Sequence, residues 1–177
     1  VAELLGINEG PLWEEMRRNI ININGAEHRR LRHLLNPSLS PRAADRHRPA
    51  MRRILAGLPH EGELEFVTEF AKPYPALVIA ELIGAEPADA PKLWDWSNWI
   101  QRQFDAASVV EHRATLEAKI LEYHEWVGHL LARKRERPGD DLTSRLLAVE
   151  DLEEVELRNL VLDVILGGID TAQSQLA

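Results

Sequence analysis

Cysteine is absent from the chain, which excludes disulfides and thiolate metal ligands within these residues and fits a reducing compartment. Aromatic residues make up only 6% and methionine occurs twice, so aliphatic side chains must build most of the core. No apolar run approaches the roughly 18–20 residues of a membrane span, and no signal-peptide pattern is visible. There is no internal repeat. No Ser–His–Asp order, phosphate loop or dinucleotide fingerprint occurs. His124 and His129 stand five apart, wrong for one helical face, so no His-rich metal cluster forms. What remains is an ordinary globular composition, 45% hydrophobic and 28% charged over 177 residues, consistent with one domain and a sizeable core.

Charge is unevenly spread. Residues 28–53 hold Arg29, Arg30, Arg32, Arg42, Arg46, Arg48, Arg52 and Arg53 against the single acid Asp45. That local balance of +7 within an overall −8 leaves −15 for the remainder. Such a block is either a site for an anionic partner or the solvated face of two helices. The acidic remainder opposes nucleic-acid binding, and no recognition-helix motif stands out.

Helical periodicity organises the chain. Gly10-Pro11 starts a short helix to about Arg18. A second is expected over Ala26–Leu35, stopping before Pro37. Ser40 and Pro41 can cap and open a third, with Pro49 splitting off a separate helix from about Arg48 to Leu58. Gly62–Glu65 is expected to pair in a small strand. Phe66–Leu82 reads as helix, kinked or restarted at Pro73 and Pro75 and ended by Gly84. Pro87 or Pro91 opens a helix carrying Trp94, Trp96, Trp99 and Phe104. Three tryptophans so close cannot share one face, so at least one is exposed or lines a pocket. The longest helix, about Val109 to Arg135, buries Leu116, Ile120, Tyr123, Val127, Leu130 and Leu131, and Pro138-Gly139 stop it. Asp140-Asp141 cap a short helix from Leu142 to about Val149.

An acidic head, Asp151, Glu153, Glu154 and Glu156, marks the start of the last helix. Leu157, Leu160, Val161, Leu162, Val164, Ile165 and Leu166 leave it almost no polar face, as expected of a helix buried inside something larger. Gly167-Gly168 then interrupt it at about 1 kcal/mol each relative to Ala. At about 100° per residue, positions 163, 166, 167, 170 and 171 share one stripe. Bare backbone at Gly167 beside Asp170 and Thr171 suits a small ligand that needs protons delivered. Alternatively, Gly167 ends the helix and Asp170 or Thr171 starts the next. On the second helix His28 and Arg32 stand four apart and so share a side. They are either a pair of donors for carboxylates or two solvated residues on an arginine-rich surface.

Gly167-Gly168-Ile169-Asp170-Thr171 resembles the Ala/Gly-Gly-x-Asp/Glu-Thr motif in the long central helix of the cytochrome P-450 family, the haem-thiolate monooxygenases. Gly25-Ala-Glu-His28-Arg-Arg-Leu-Arg32, followed by Asn36-Pro-Ser-Leu-Ser-Pro-Arg42, is similar to that family's His-x-x-x-Arg segment. The wording Asp140-Asp-Leu-Thr-Ser-Arg-Leu-Leu147 is similar as well. The resemblance runs from about Gly10 to the C-terminus in the family's order. It implies an all-α, partial cytochrome P-450 fold: a single partial domain over 1–177 with helical core and lid helices ending in the central helix. The small sheet and the loop bearing the iron-ligating cysteine are missing, and the stop in mid-helix at Ala177 reads as truncation.

The same resemblance implies that His28 and Arg32 bind haem propionates, that Gly167 and Gly168 leave room for dioxygen, and that Asp170 and Thr171 relay protons. Ala172 stands where the family usually has Thr or Ser. Trp96 and Trp99, in the lid region, and Asp163 and Leu166, on the central helix, become candidates for the substrate pocket. A buried Asp163 needs a partner, expected to be an arginine from the lid helices or a basic group on the substrate. The cofactor implied is haem b, with dioxygen as co-substrate and no metal ligand within these residues. The implied parent is a soluble, cytoplasmic, bacterial-type enzyme hydroxylating a small hydrophobic organic substrate. It would take electrons from a ferredoxin- or flavodoxin-type partner on the arginine block, with no nucleic acid and no membrane involved. Without an axial thiolate these residues alone are expected to be inactive, to expose much of the Leu160–Leu166 face and to fold poorly. A non-catalytic helical module that binds a ligand or another helix is the rival reading.

Overall fold

The computed structural model describes residues 3–59 and 62–177. Among them the regular structure is helical: α1 Pro11–Arg18, α2 Gly25–Leu39, α3 Pro41–Ala56, α4 Pro73–Ile83, α5 Ala90–Ile100, α6 Ala106–Glu136, α7 Leu142–Leu147, α8 Glu154–Gly168 and α9 Asp170–Leu176. The all-α expectation holds. No strand occurs among the described residues, so Gly62–Glu65 does not pair. Glu65 instead accepts from the Thr68 N–H at 2.8 Å, opening a π-helical turn over Val67–Ala71. Lys72 N–H closes that turn on the Val67 carbonyl at 2.9 Å, and α4 restarts at Pro73.

Both internal prolines fail to break their helices. Pro37 lies inside α2 and Pro49 inside α3, so the expected stop before Pro37 and the split at Pro49 are corrected. Each proline deprives the carbonyl four residues earlier of its donor. Those residues, His33 and Asp45, are exposed, so water can take the donor's place. The remaining starts follow the sequence: Ser40 accepts from Ala43 N–H at 3.3 Å, and Asp141 from Ser144 N–H at 2.8 Å. Glu153 and Glu156 form a capping box on α8.

α8 is the axis of the molecule, packed by α1, α4, α5, α6 and α7. Leu160, Val161, Leu162, Val164, Ile165 and Leu166 are all buried, so the expectation that this face would be exposed is corrected. Each such side chain contributes about 1.5–3 kcal/mol relative to exposure. Buried polar groups tie the layers together: Thr143 Oγ1 donates to the Ile83 carbonyl at 2.7 Å and Tyr123 OH to that of Arg158 at 2.6 Å. Gly84 ends α4 in the left-handed conformation, φ 73°, beside the Lys134–Asp141 ion pair at 2.7 Å.

Candidate active-site cleft

The break between α8 and α9 falls in the diglycine stretch. Ile169, with φ −98° and ψ −67°, separates the two helices. Thr171 Oγ1 donates to the Gly167 carbonyl at 2.5 Å, a side-chain bond that competes with the helix ladder. Both alternatives read from the sequence therefore meet here: the helix does end at the glycines, and the ending opens onto a cleft.

That cleft has a volume of about 490 Å³. One wall is the α8–α9 stripe, Asp163, Val164, Leu166, Gly167, Gly168 and Thr171. The rest of the lining comes from Arg32, Leu35 and Leu39 of α2, Ile79 of α4, Gln101 and Phe104 of the 3₁₀ turn after α5, and Ile20-Ile21. The lining is mainly apolar with a few placed polar groups, the usual make-up of a small-molecule site.

The two glycines serve different ends. A Cβ on Gly167 would meet nothing within 4 Å. One on Gly168 would lie 2.9 Å from Ile79 Cγ1 and closer still to Cδ1, so Gly168 is bare to let α4 approach. Arg32 is exposed, lines the cleft and makes no recorded ion pair. His28 lies one turn earlier on α2, half-buried, outside the cleft lining. Asp170 is likewise half-buried and outside the lining, next to Thr171.

Neither tryptophan candidate reaches the cleft. Trp96 is buried against α6, edge-on to Tyr123 at 5.9 Å and beside Trp126 at 5.2 Å. Trp99 packs on His112 with the Arg102 guanidinium over its ring. The cleft residues that sequence reasoning did not single out as candidates are Ile20, Ile21, Leu35, Leu39, Ile79, Gln101, Phe104 and Val164. The apolar pair Ile20-Ile21 between two helices was the available signal.

Asp163 has no arginine partner, which corrects that half of its expectation. Its Oδ2 accepts from the Ile20 N–H at 3.3 Å, and its Oδ1 is buried without a donor. Burial, then the charge of Glu15, pushes its pKa from 3.8 up to about 8, against the Ile20 bond. Glu15 on α1 is 1% exposed, and neither of its oxygens has a hydrogen-bond donor. The imidazole of His124 on α6 lies beside it, with Nε2 3.7 Å away. Burial, then Glu15 and Asp163, also raise the Tyr123 phenol well above its ordinary range.

No family model matches the chain. Luteothin monooxygenase of Streptomyces thioluteus is 29% identical over the whole chain, which spans 45% of that relative. Cytochrome P-450 107B1 of Saccharopolyspora erythraea is 33% identical over 86% of the chain and 38% of its own length. The chain thus spans less than half the length of the curated relatives it matches. The crystal structure of CalO2 superposes with a TM-score of 0.86 at 28% identity, covering 98% of the chain and 45% of its own. With the diglycine stretch of a buried helix and Arg32 lining one mainly apolar cleft, these likenesses place the chain in the cytochrome P-450 family.

Proposed function

We propose that these residues form the ligand-facing half of a haem-dependent monooxygenase that hydroxylates or epoxidises a small organic substrate. The observation that carries this reading is the cleft itself, which the open backbone of Gly167 and the side chain of Arg32 both line. The residues present fit haem b. Arg32, free of any carboxylate, and His28 one turn away can donate to acidic side arms, and the apolar wall suits a flat hydrophobic ring. A thiolate ligand would come from outside these 177 residues, which hold no cysteine.

Bound haem supplies the redox chemistry that activates dioxygen. The chain's own residues position and protonate. Gly167 keeps the wall clear of side chain, and Leu166 and Phe104 hold an apolar ligand and exclude water. Thr171 spends its hydroxyl proton on the Gly167 carbonyl, which leaves its oxygen free to accept a hydrogen bond from the cleft. Asp170, half-buried and adjacent, passes protons from solvent to that position. Electrons come from an acidic ferredoxin- or flavodoxin-type partner docking on the arginines of α2 and α3, where Arg48 and Arg53 are paired while Arg42 and Arg52 carry no ion pair among the described residues.

The test is haem retention and the carbon-monoxide difference spectrum of the intact protein. A thiolate-type spectrum is expected, with haem lost readily from Arg32→Ala and His28→Ala. An intact protein that takes up no haem overturns the reading.

A further inference from the structure

The cleft that Arg32 lines also carries an acid that packing does not explain. Asp163 lines the cleft one turn before Gly167, yet its Oδ1 has no donor. Behind it stands a second acid, Glu15, fully enclosed and with both oxygens lacking donors. Three acceptor atoms on two carboxyl groups therefore lie enclosed near the junction of α1 and α8 with no backbone or side-chain donor among the described residues. A well-packed helix junction rarely keeps such groups unless something supplies the missing donors.

The charged surroundings are sparse. Facing Asp163 from α1 is Glu15, and from α6 come Tyr123 and His124, the latter 3.7 Å from Glu15. On α8 itself Arg158 is engaged with Glu154. Arg32 of α2 lines the same cleft. Among the described residues no lysine or arginine pairs with either acid.

We propose that Asp163, backed by Glu15, makes the cleft selective for ligands that carry a basic amine or quaternary ammonium group on an apolar body. This rests on the reading of the cleft as the substrate chamber. A cation there gains the field of two carboxyls in a poorly solvated wall, where charge interactions are least screened. It also sets a positive charge beside Asp163, which has no lysine or arginine partner among the described residues. Empty, Asp163 holds a proton at neutral pH. A bound cation favours the carboxylate, so that proton leaves on binding and affinity rises with pH until Asp163 is already ionised, near pH 8.

The test compares phenyltrimethylammonium with its uncharged isostere tert-butylbenzene on the haem-loaded intact enzyme. Neither can ligate iron. Binding is read by optical titration and by calorimetry at pH 7 in two buffers of different ionisation enthalpy. The cation is expected to bind with release of close to one proton. Asp163→Asn, which keeps an acceptor for Ile20, should weaken the cation by about tenfold or more while leaving tert-butylbenzene nearly unchanged and abolishing the proton release. Glu15→Gln should weaken the cation less and leave the preference in place. Equal binding of both probes by the wild type, or equal loss of both in Asp163→Asn, overturns the selectivity while the chamber reading stands. If neither probe binds, the chamber reading falls, and the inference with it.

Discussion

Single residues at the cleft make sharply different demands. Gly167 and Gly168 are neighbours in sequence but not in role. Gly167→Ala meets open space, so stability should hold or rise by up to about 1 kcal/mol from helix propensity, while ligand binding suffers. Gly168→Ala drives a methyl into Ile79 and should destabilise by about 1–3 kcal/mol. Chemical denaturation of the two variants checks the contrast. Asp163 sets a pH dependence. Its folded pKa is raised from 3.8 to about 8, so between those values folding takes up a proton. Stability therefore falls as pH rises through that window, by at most about 1.4 kcal/mol per unit, and levels off above about 8. In melts from pH 5 to 9, Asp163→Asn should flatten that slope and gain most at the alkaline end. The sequence marked Asp163 as odd but did not mark Glu15. In Pro11–Arg18, Glu14 and Glu15 look alike, and only the seating of α1 on α6 and α8 encloses one and leaves the other paired with Arg18 at 3.2 Å.

Among the elements, caps and terminators were legible and internal prolines were not. Ser40, Asp141 and Glu153 cap where their side chains allow, because capping is a local bond. Whether a proline breaks a helix depends on where the carbonyl it orphans points. At His33 and Asp45 that is toward water. Gly84 combines φ 73° with crowding by Asp141 and Lys134. Gly84→Ala should therefore cost at least the about 1–2 kcal/mol of a left-handed non-glycine residue, seen as a lowered denaturation midpoint. The outer surfaces of α2 and α3 present the arginine block. If it docks an acidic electron donor, Arg42→Glu with Arg52→Glu should slow reduction by that donor, and the deficit should shrink as salt rises. Kinetics of reduction at two ionic strengths check this.

For the whole molecule, enclosure of α8 is the governing fact. Leu162 is completely buried, and Leu162→Ala should cost about 2–5 kcal/mol, measurable as a loss of cooperative thermal stability. An apolar run with no polar face could only sit inside a bundle, and that much needed no coordinates: the period of the side chains and the sign of the hydrophobic effect suffice. The sequence by itself determined most of the helices, several of their caps and the buried axis, because these rest on neighbours within a turn or two, and its resemblance to a family marked His28/Arg32 and Gly167–Thr171 as candidates. Tertiary structure alone decided that Trp96 turns to α6 rather than to the cleft, that Gly168 serves α4, and that Asp163 meets Glu15 and the Ile20 amide instead of an arginine. The Ile20–Asp163 bond joins residues 143 apart in the chain. Contacts of that span depend on how helices are set against one another, and periodicity along one helix carries no information about the rotation of the next.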